Sequence, residues 1–375
     1  MSDYQLLYLI LLLLYLTDCS LWVTNGCIAF VGRWGVWQPL LSPALFGNAR
    51  GGVALAWPFP LGKPTYLAAT LPFSWSLEGI CNHSLEEVGE RVPPAAPLRF
   101  IPFNEIGPIE TRGKILRVND LPFVTCITWQ QAEAGAALLR QLVTTKGTPG
   151  NNLLSPLFSL SSIAEQKQRC TGQIRILRWL CLLQFLLIFI LGPISVFLFG
   201  PLALIMAAAV IILLNLLVIV LSWRAHATLY PDRLGERVSD SLATFFFPPR
   251  GVRATDFLAQ PLLSGFHPLA VGQSLLEEET FRTMAGRHLA LLRHPRLSSL
   301  PPALQQGLLY HAGTMAEVVE EFFRSVGIEP AILSSPPRPQ GARSFCPRCL
   351  STFTQQEGEC PECGDIPLTP YAPHS

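Results

Sequence analysis

Between Trp179 and Trp223 the chain carries no charged side chain, and its strongly polar groups there are Gln184, Asn215 and a few hydroxyls. At about 1.5 Å of rise per residue, a bilayer core of about 30 Å takes roughly 20 helical residues, so the run is long enough to cross twice. Gly200-Pro201 stands near its middle. Glycine leaves helical geometry cheaply, and proline cannot extend a helix on its N-terminal side. The pattern predicts a transmembrane helical hairpin over 179–223, with legs Trp179–Phe199 and Leu202–Trp223 and a kink at Pro193. A buried helix pair of a soluble protein is the competing reading, and the length of the run argues against it.

The flanks give the direction. Lys167, Arg169, Arg175 and Arg178 precede the hairpin, Arg224, Arg233 and Arg237 follow it, and its turn has no charge. Cytoplasmic flanks carry the Lys/Arg excess, so both ends are expected in the cytoplasm. A second apolar run, Tyr4–Leu16, lies between Asp3 and Asp18. It has no basic segment before it and no small-residue cleavage site after it, which argues against a signal peptide. Asp18 directly before Cys19 argues against a lipoprotein. Extended through Val23 the run reaches spanning length, and the expectation is an N-terminal membrane helix over 4–23, running from outside to Arg33 and Arg50 inside. The chain is therefore expected in the cell (inner) membrane as a multi-pass protein, with the lipid bilayer as one partner and its soluble domains cytoplasmic.

Residues 24–150 read as short strands and turns. Asn25-Gly26, between Leu21–Thr24 and Cys27–Val31, is a hairpin signal, because both central positions tolerate positive φ. Ile106–Thr111, Lys114–Val118 and Phe123–Ile127, separated by Arg112-Gly113 and Asn119-Asp120, predict a three-stranded meander. A helix should follow at once. Thr128 and Gln131 have capping-box spacing, and Trp129, Ala132, Ala136, Leu139 and Val143 recur at helical intervals. Strands closed by one amphipathic helix, as in IPFNEIGPIETRGKILRVNDLPFVTCITWQQAEAGAALLRQL (Ile101–Leu142), resemble the closing half of a pleckstrin-homology-like domain. That resemblance implies a small β-rich cytoplasmic domain that docks on lipids or peptides, although the basic cluster of its lipid-binding members is not evident here. A generic α+β domain with the same elements is the other reading.

An amphipathic connector over 151–178 leads into the membrane, and 224–333 reads as a helical cytoplasmic region. Leu276, Phe281, Met284, Ala285, His288, Leu289 and Leu292 mark one helix there. Leu304, Leu308, Ala312, Met315, Val319, Phe322, Phe323 and Val326 mark another, beyond Pro301-Pro302. A Pro/Ser linker over 334–342 precedes a final module over 343–375.

That module holds FCPRCLSTFTQQEGECPECGD, in which Cys346 and Cys349 form one C-x-x-C pair and Cys360 and Cys363 a second. Two such knuckles supply the four thiolates of a tetrahedral Zn²⁺ site. Proline after each leading cysteine stiffens the turn, Gly364 lets the backbone fold over the sulfurs, and Phe345 and Phe353 are candidates to cover the metal. The motif resembles a zinc ribbon, which implies a structural Zn²⁺ held by Cys346, Cys349, Cys360 and Cys363. Redox C-x-x-C pairs, which would want a thioredoxin-like context, and a rubredoxin-like iron site compete with it. The remaining six of the ten cysteines are scattered and read as buried small hydrophobes.

Charge narrows the role. The chain carries +1 overall, and from Arg338 onward Arg338, Arg343 and Arg348 stand against Glu357, Glu359, Glu362 and Asp365. Nucleic acid is disfavoured as a partner, since it requires a basic face. No nucleophile elbow, zincin helix, Walker loop or dinucleotide fingerprint is present. Cys81 with His83 reads as coincidence, Glu277–Glu279 as a helix start, and His226, His267, His288, His294 and His311 as unspaced for ligation. The expectation is a multi-domain α+β membrane protein with no catalytic residues assigned. Its expected role is a membrane-anchored interaction or scaffold protein, with a protein partner engaged through the ribbon or the C-terminal helices. The alternative is a membrane enzyme or transporter accessory subunit without a recognisable motif.

Overall fold

A computed structural model describes residues 73–82 and 99–372 apart from 127, 149–150, 253, 264, 276–277, 296, 298–301 and 365, together with residues 6, 9, 10, 27–30 and 66–69. The N-terminal helix expected over 4–23 and the strand Leu21–Thr24 lie outside the described residues, apart from residues 6, 9 and 10, which are helical. Strand β1 (Cys27–Phe30) pairs with β2 (Tyr66–Ala69). The chain divides into two compact units. One combines Met1–Ala68 with Leu160–Gly265, the other Ala69–Ser159 with Phe266–Ser375.

The second unit opens with a three-stranded antiparallel sheet, β3 (Ser74–Trp75), β4 (Gly79–Cys81) and β5 (Phe100–Pro102), in that order. Its first turn is held by the Ser76 hydroxyl, which accepts from the backbone N–H groups of Glu78 and Gly79 at 3.0 and 3.2 Å. The expected meander follows as β6 (Ile109–Arg112), β7 (Ile115–Val118) and β8 (Leu121–Thr125). Positive φ at both Asn119 (55°) and Asp120 (59°) makes its second turn tight, so β8 starts two residues earlier than the apolar pattern suggests. The N-cap is as expected, with Thr128 Oγ1 accepting from Gln131 N–H at 3.1 Å at the head of α1 (Trp129–Thr144). Phe73, Trp75, Ile80, Leu116, Leu139 and Leu142 are fully buried at the centre of this region.

In the first unit the two apolar legs form helices longer than the expected Trp179–Phe199 and Leu202–Trp223. Helix α2 runs over Leu160–Phe199 and α3 over Pro201–Leu229. Gly200 takes φ 73° between them and Pro201 starts the second helix, as the sequence pattern implies. The disturbance around Pro193 takes a specific form, a π-helical stretch at Leu187–Leu191 just upstream. The proline ring denies the helix one N–H and one carbonyl position, and a widened turn absorbs the mismatch. Both helices are long and apolar enough to cross a membrane, with only 28% and 17% of their most apolar stretches buried. Phe197, Phe199 and Leu213 stand out at 85%, 74% and 68% exposure. Helix α4 (Leu234–Phe246), a single turn at Pro248–Gly251, and α5 (Ala254–Leu263) complete the unit.

The second unit resumes with α6 (Pro268–Leu275), α7 (Glu278–Arg293) and α8 (Pro302–Ser325). The two longer helices bury the faces that the helical spacing marks, including Phe281, Ala285, Leu289, Leu308, Met315, Val319 and Phe323, while Leu276 and the Met284 side chain lie outside the described residues. Helix α8 packs on β3. A Cβ on Gly307 would lie 2.5 Å from Ser76 Cβ, and one turn further His311 sets its ring edge-on to Trp75 at 3.9 Å between centroids. The β-rich segment and the C-terminal helices, read from sequence as separate regions, thus share one core.

Candidate metal centre

The C-terminal module is a three-stranded sheet in which β9 (Ser344–Phe345) lies between β10 (Thr352–Phe353) and β11 (Thr369–Pro370). Each C-x-x-C pair sits on a tight knuckle closed by a backbone hydrogen bond. Leu350 N–H donates to Cys346 O at 2.9 Å, and Gly364 N–H to Cys360 O at 2.7 Å. The two knuckles are built alike, since Leu350 and Gly364 hold equivalent positions with φ of 59° and 74°. Glycine meets that requirement without strain, whereas the leucine adopts an uncommon conformation for a residue with a Cβ. In the first knuckle the N–H groups of Arg348 and Cys349 point at Cys346 Sγ, at 3.4 and 3.5 Å.

The four Sγ atoms lie within 4.8 Å of one another, with Cys346–Cys363 at 3.8 Å and Cys349–Cys360 at 3.7 Å. A tetrahedron with metal–sulfur bonds of about 2.3 Å has edges of about 3.8 Å, so these spacings suit a single metal ion. They are far too long for disulfides, whose sulfurs sit about 2.05 Å apart. Burial pushes the Cys349 thiol upward, and the Cys363 thiol up to about 11. At Cys360 burial also acts upward, but backbone hydrogen bonds from Cys363 and Glu362 together with side-chain hydrogen bonds to Cys346 and Cys349 outweigh it and hold the thiol below its usual value. A metal must displace the remaining protons, so its affinity falls with pH. Phe353 packs against the cysteine cluster as expected, while Phe345 meets the Tyr371 ring at a tilt, 5.1 Å between centroids. Ile366 and Leu368 share the buried cluster and were not singled out from the sequence.

The ribbon is fastened to the helices by Arg348. Its Nε donates to His294 O at 2.6 Å and its Nη2 to Pro295 O at 3.3 Å, just past the C-terminus of α7. Only 7% of the residue is exposed. A cation at a helix C-terminus satisfies carbonyls that the helix leaves open and complements its dipole. Arg348→Ala should lower the stability of the second unit by about 2–3 kcal/mol while leaving the four-cysteine site loaded. Parallel melting curves and metal analysis on the purified full chain test this, and metal loss in the variant would mean that Arg348 holds the knuckle itself.

Other residues weighed from the sequence fall into place elsewhere. Cys81 is buried in β4, and His83 lies outside the described residues. His267 and His288 pack edge-on at 5.1 Å, with His267 also stacked on Phe158 at 4.5 Å. Burial drives both histidines well below their usual range, His288 to about 4, and the neighbouring His288 adds to the effect at His267. They are packed, neutral core groups. Among the described residues, the four cysteines form the one group of three or more potential ligands close enough to hold a metal.

Inside the first unit Gln184 Nε2 donates to Asn215 Oδ1 at 2.9 Å. The pair also ties down the chain that follows the hairpin. Gln184 Nε2 donates to Pro248 O at 2.8 Å and Asn215 Nδ2 to Thr244 O at 3.0 Å. Gly251 closes the knot, because a Cβ there would lie 2.8–2.9 Å from both amides. Gly251→Ala should therefore part these amides and cost about 1–3 kcal/mol, read as a lower melting temperature in detergent. An unchanged melt would show that the amides yield without loss.

No protein-family model matches the chain, and no curated protein or solved structure matches it.

Proposed function

We propose that this chain is a membrane-anchored interaction or scaffold protein whose C-terminal ribbon holds one structural Zn²⁺. The observation that carries the reading is the closed four-thiolate shell clamped to the helical body through Arg348. Four protein ligands leave a tetrahedral metal no open position for substrate, which is the arrangement of structural rather than catalytic zinc. The all-sulfur set favours a soft or borderline ion, and zinc is the common occupant of such sites. The lipid-facing character of α2 and α3 supports anchoring by the hairpin, and the basic flanks support cytoplasmic placement of the regions on either side.

Arg348 is turned into the protein, so the ribbon's outer surface is more acidic than its residue count suggests. Glu357, Glu359 and Glu362 are exposed. This supports a protein partner with a basic face and weighs further against nucleic acid. Reporter fusions after Thr145 and Ser375 should both score cytoplasmic. Glu357→Lys with Glu359→Lys should leave abundance, metal content and membrane insertion unchanged while abolishing recovery of the partner. A single His or Glu substitution that removed the cellular phenotype at normal abundance would instead indicate catalysis.

A further inference from the structure

We infer that residues 234–263 form a re-entrant element that dips into the lipid beside the hairpin and returns to the same face. The inference rests on the reading of α2 and α3 as membrane spans. The contacts within the first unit set its path. Arg237 lies over the Trp223 ring at 5.3 Å, and Thr244 is bonded to Asn215, so α4 runs back along α3 in the opposite direction. Asn215 precedes Trp223 by eight residues, which places it about 12 Å deeper along the helix than the end of the uncharged run. Thr244 is carried to that depth. The return leg is fixed in the same way, by Gln184 on Pro248 O and by the Cys181 thiol donating to Gly251 O at 3.3 Å. Further up, the Tyr230 hydroxyl donates to Leu258 O at 2.7 Å.

The side chains match this path. Leu234, Val238, Leu242, Phe245 and Phe246 recur at helical spacing on one face of α4, and all are exposed, Phe246 at 78%. From Ser241 to Pro249 the segment has no charge, and the charges that flank this tip, Asp240 and Arg250, pair at 3.1 Å. Backbone irregularity at membrane depth is tolerated only where protein groups satisfy it. The break at Phe247–Pro248 meets that condition, because Gln184 and Asn215 reach the carbonyls on both sides of it. The exposed apolar stripe thus adjoins the lipid-facing surface of the hairpin, and acyl chains are its occupant.

The test is photocrosslinking of the full-length protein in phosphatidylcholine/phosphatidylglycerol vesicles. The photoreactive residue p-benzoylphenylalanine replaces Phe246 or Leu242 in α4, Phe197 in the hairpin, or Glu317 on the exposed face of α8. Phospholipid adducts at Phe246 and Leu242 in yields comparable to Phe197, and at least tenfold above Glu317, are expected. Two α4 positions guard against one substitution disturbing the tip. Lipid adducts at Phe197 without any at Phe246 and Leu242 would overturn the re-entrant element and leave the hairpin standing. Adducts to a second copy of the chain at those positions, in place of lipid, would overturn it in favour of self-association. No lipid adduct at Phe197 would remove the membrane reading and this inference with it.

Discussion

Chelation of the metal, or Cys349→Ser, should unfold the C-terminal module and markedly lower the stability of the helices beneath it. Structural zinc in small thiolate sites supplies on the order of 10 kcal/mol of apparent folding energy, and a short three-stranded sheet has little core to replace it. Cys346, Cys360 and Cys363 are buried in the same cluster as Ile366 and Leu368. Loss of the metal therefore brings like-charged or protonated thiols into the centre of the module's packing. Elemental analysis of the detergent-purified full chain should return one zinc per chain, and protease should cut between residues 340 and 372 only after chelation. A chain free of transition metal that resists protease there would exclude the site, and stoichiometric iron would reassign it.

Acid should destabilise the second unit steeply, because its core holds three histidines without charge. His267, His288 and His311 are 4%, 8% and 3% exposed. Burial depresses His288 to about 4 and His311 to about 3, and holds His267 well below the usual value of 6.5. Well above pH 6.5 neither the folded nor the unfolded chain protonates these groups, and they add no pH dependence. Below it the unfolded chain takes up protons that the folded chain refuses, so stability falls with pH until the folded values are passed. Each histidine contributes up to about 1.4 kcal/mol per pH unit, or roughly 4 for the three together. Acid also strips thiolate-bound metal, so the diagnostic comparison is a variant. His288→Leu should reduce the slope of melting temperature against pH between 6 and 4.5 by about a third, while metal release proceeds at the same pH as in the parent. An unaltered slope would assign the acid sensitivity to the cysteines.

How much of this was legible in the sequence depended on where the information resides. The hairpin turn at Gly200-Pro201, the knuckles of the ribbon and, at the described positions, the buried faces of α7 and α8 are written in local residue identities and are found there. The ends of α2 and α3 were not, since the expected legs stop where lipid should end. Helix formation is a backbone property that continues through Arg175 and Arg178, as α2 does. The polar knot was half visible. Asn215 and Gln184 announce themselves in an apolar run, but their other partners are the carbonyls of Thr244 and Pro248, which carry no side-chain signature. Arg348 reads as surface charge because nothing local shows that His294 O lies within its reach. The docking of β3 on α8 joins Trp75 to His311, and no periodicity spans that separation.

The interruption of the second unit by the first has a consequence of parity. Strands and helices on either side of the apolar hairpin complete one core, through Trp75 against His311 and Phe158 against His267. A protein that knits its two flanks together must keep both on one face of any bilayer, so the intervening chain can cross only an even number of times. Two crossings meet the condition, and an element that enters and withdraws on one face leaves the count unchanged. On the proposed topology of two spans, deletion of either leg alone would put the two flanks on opposite faces and part Trp75 from His311.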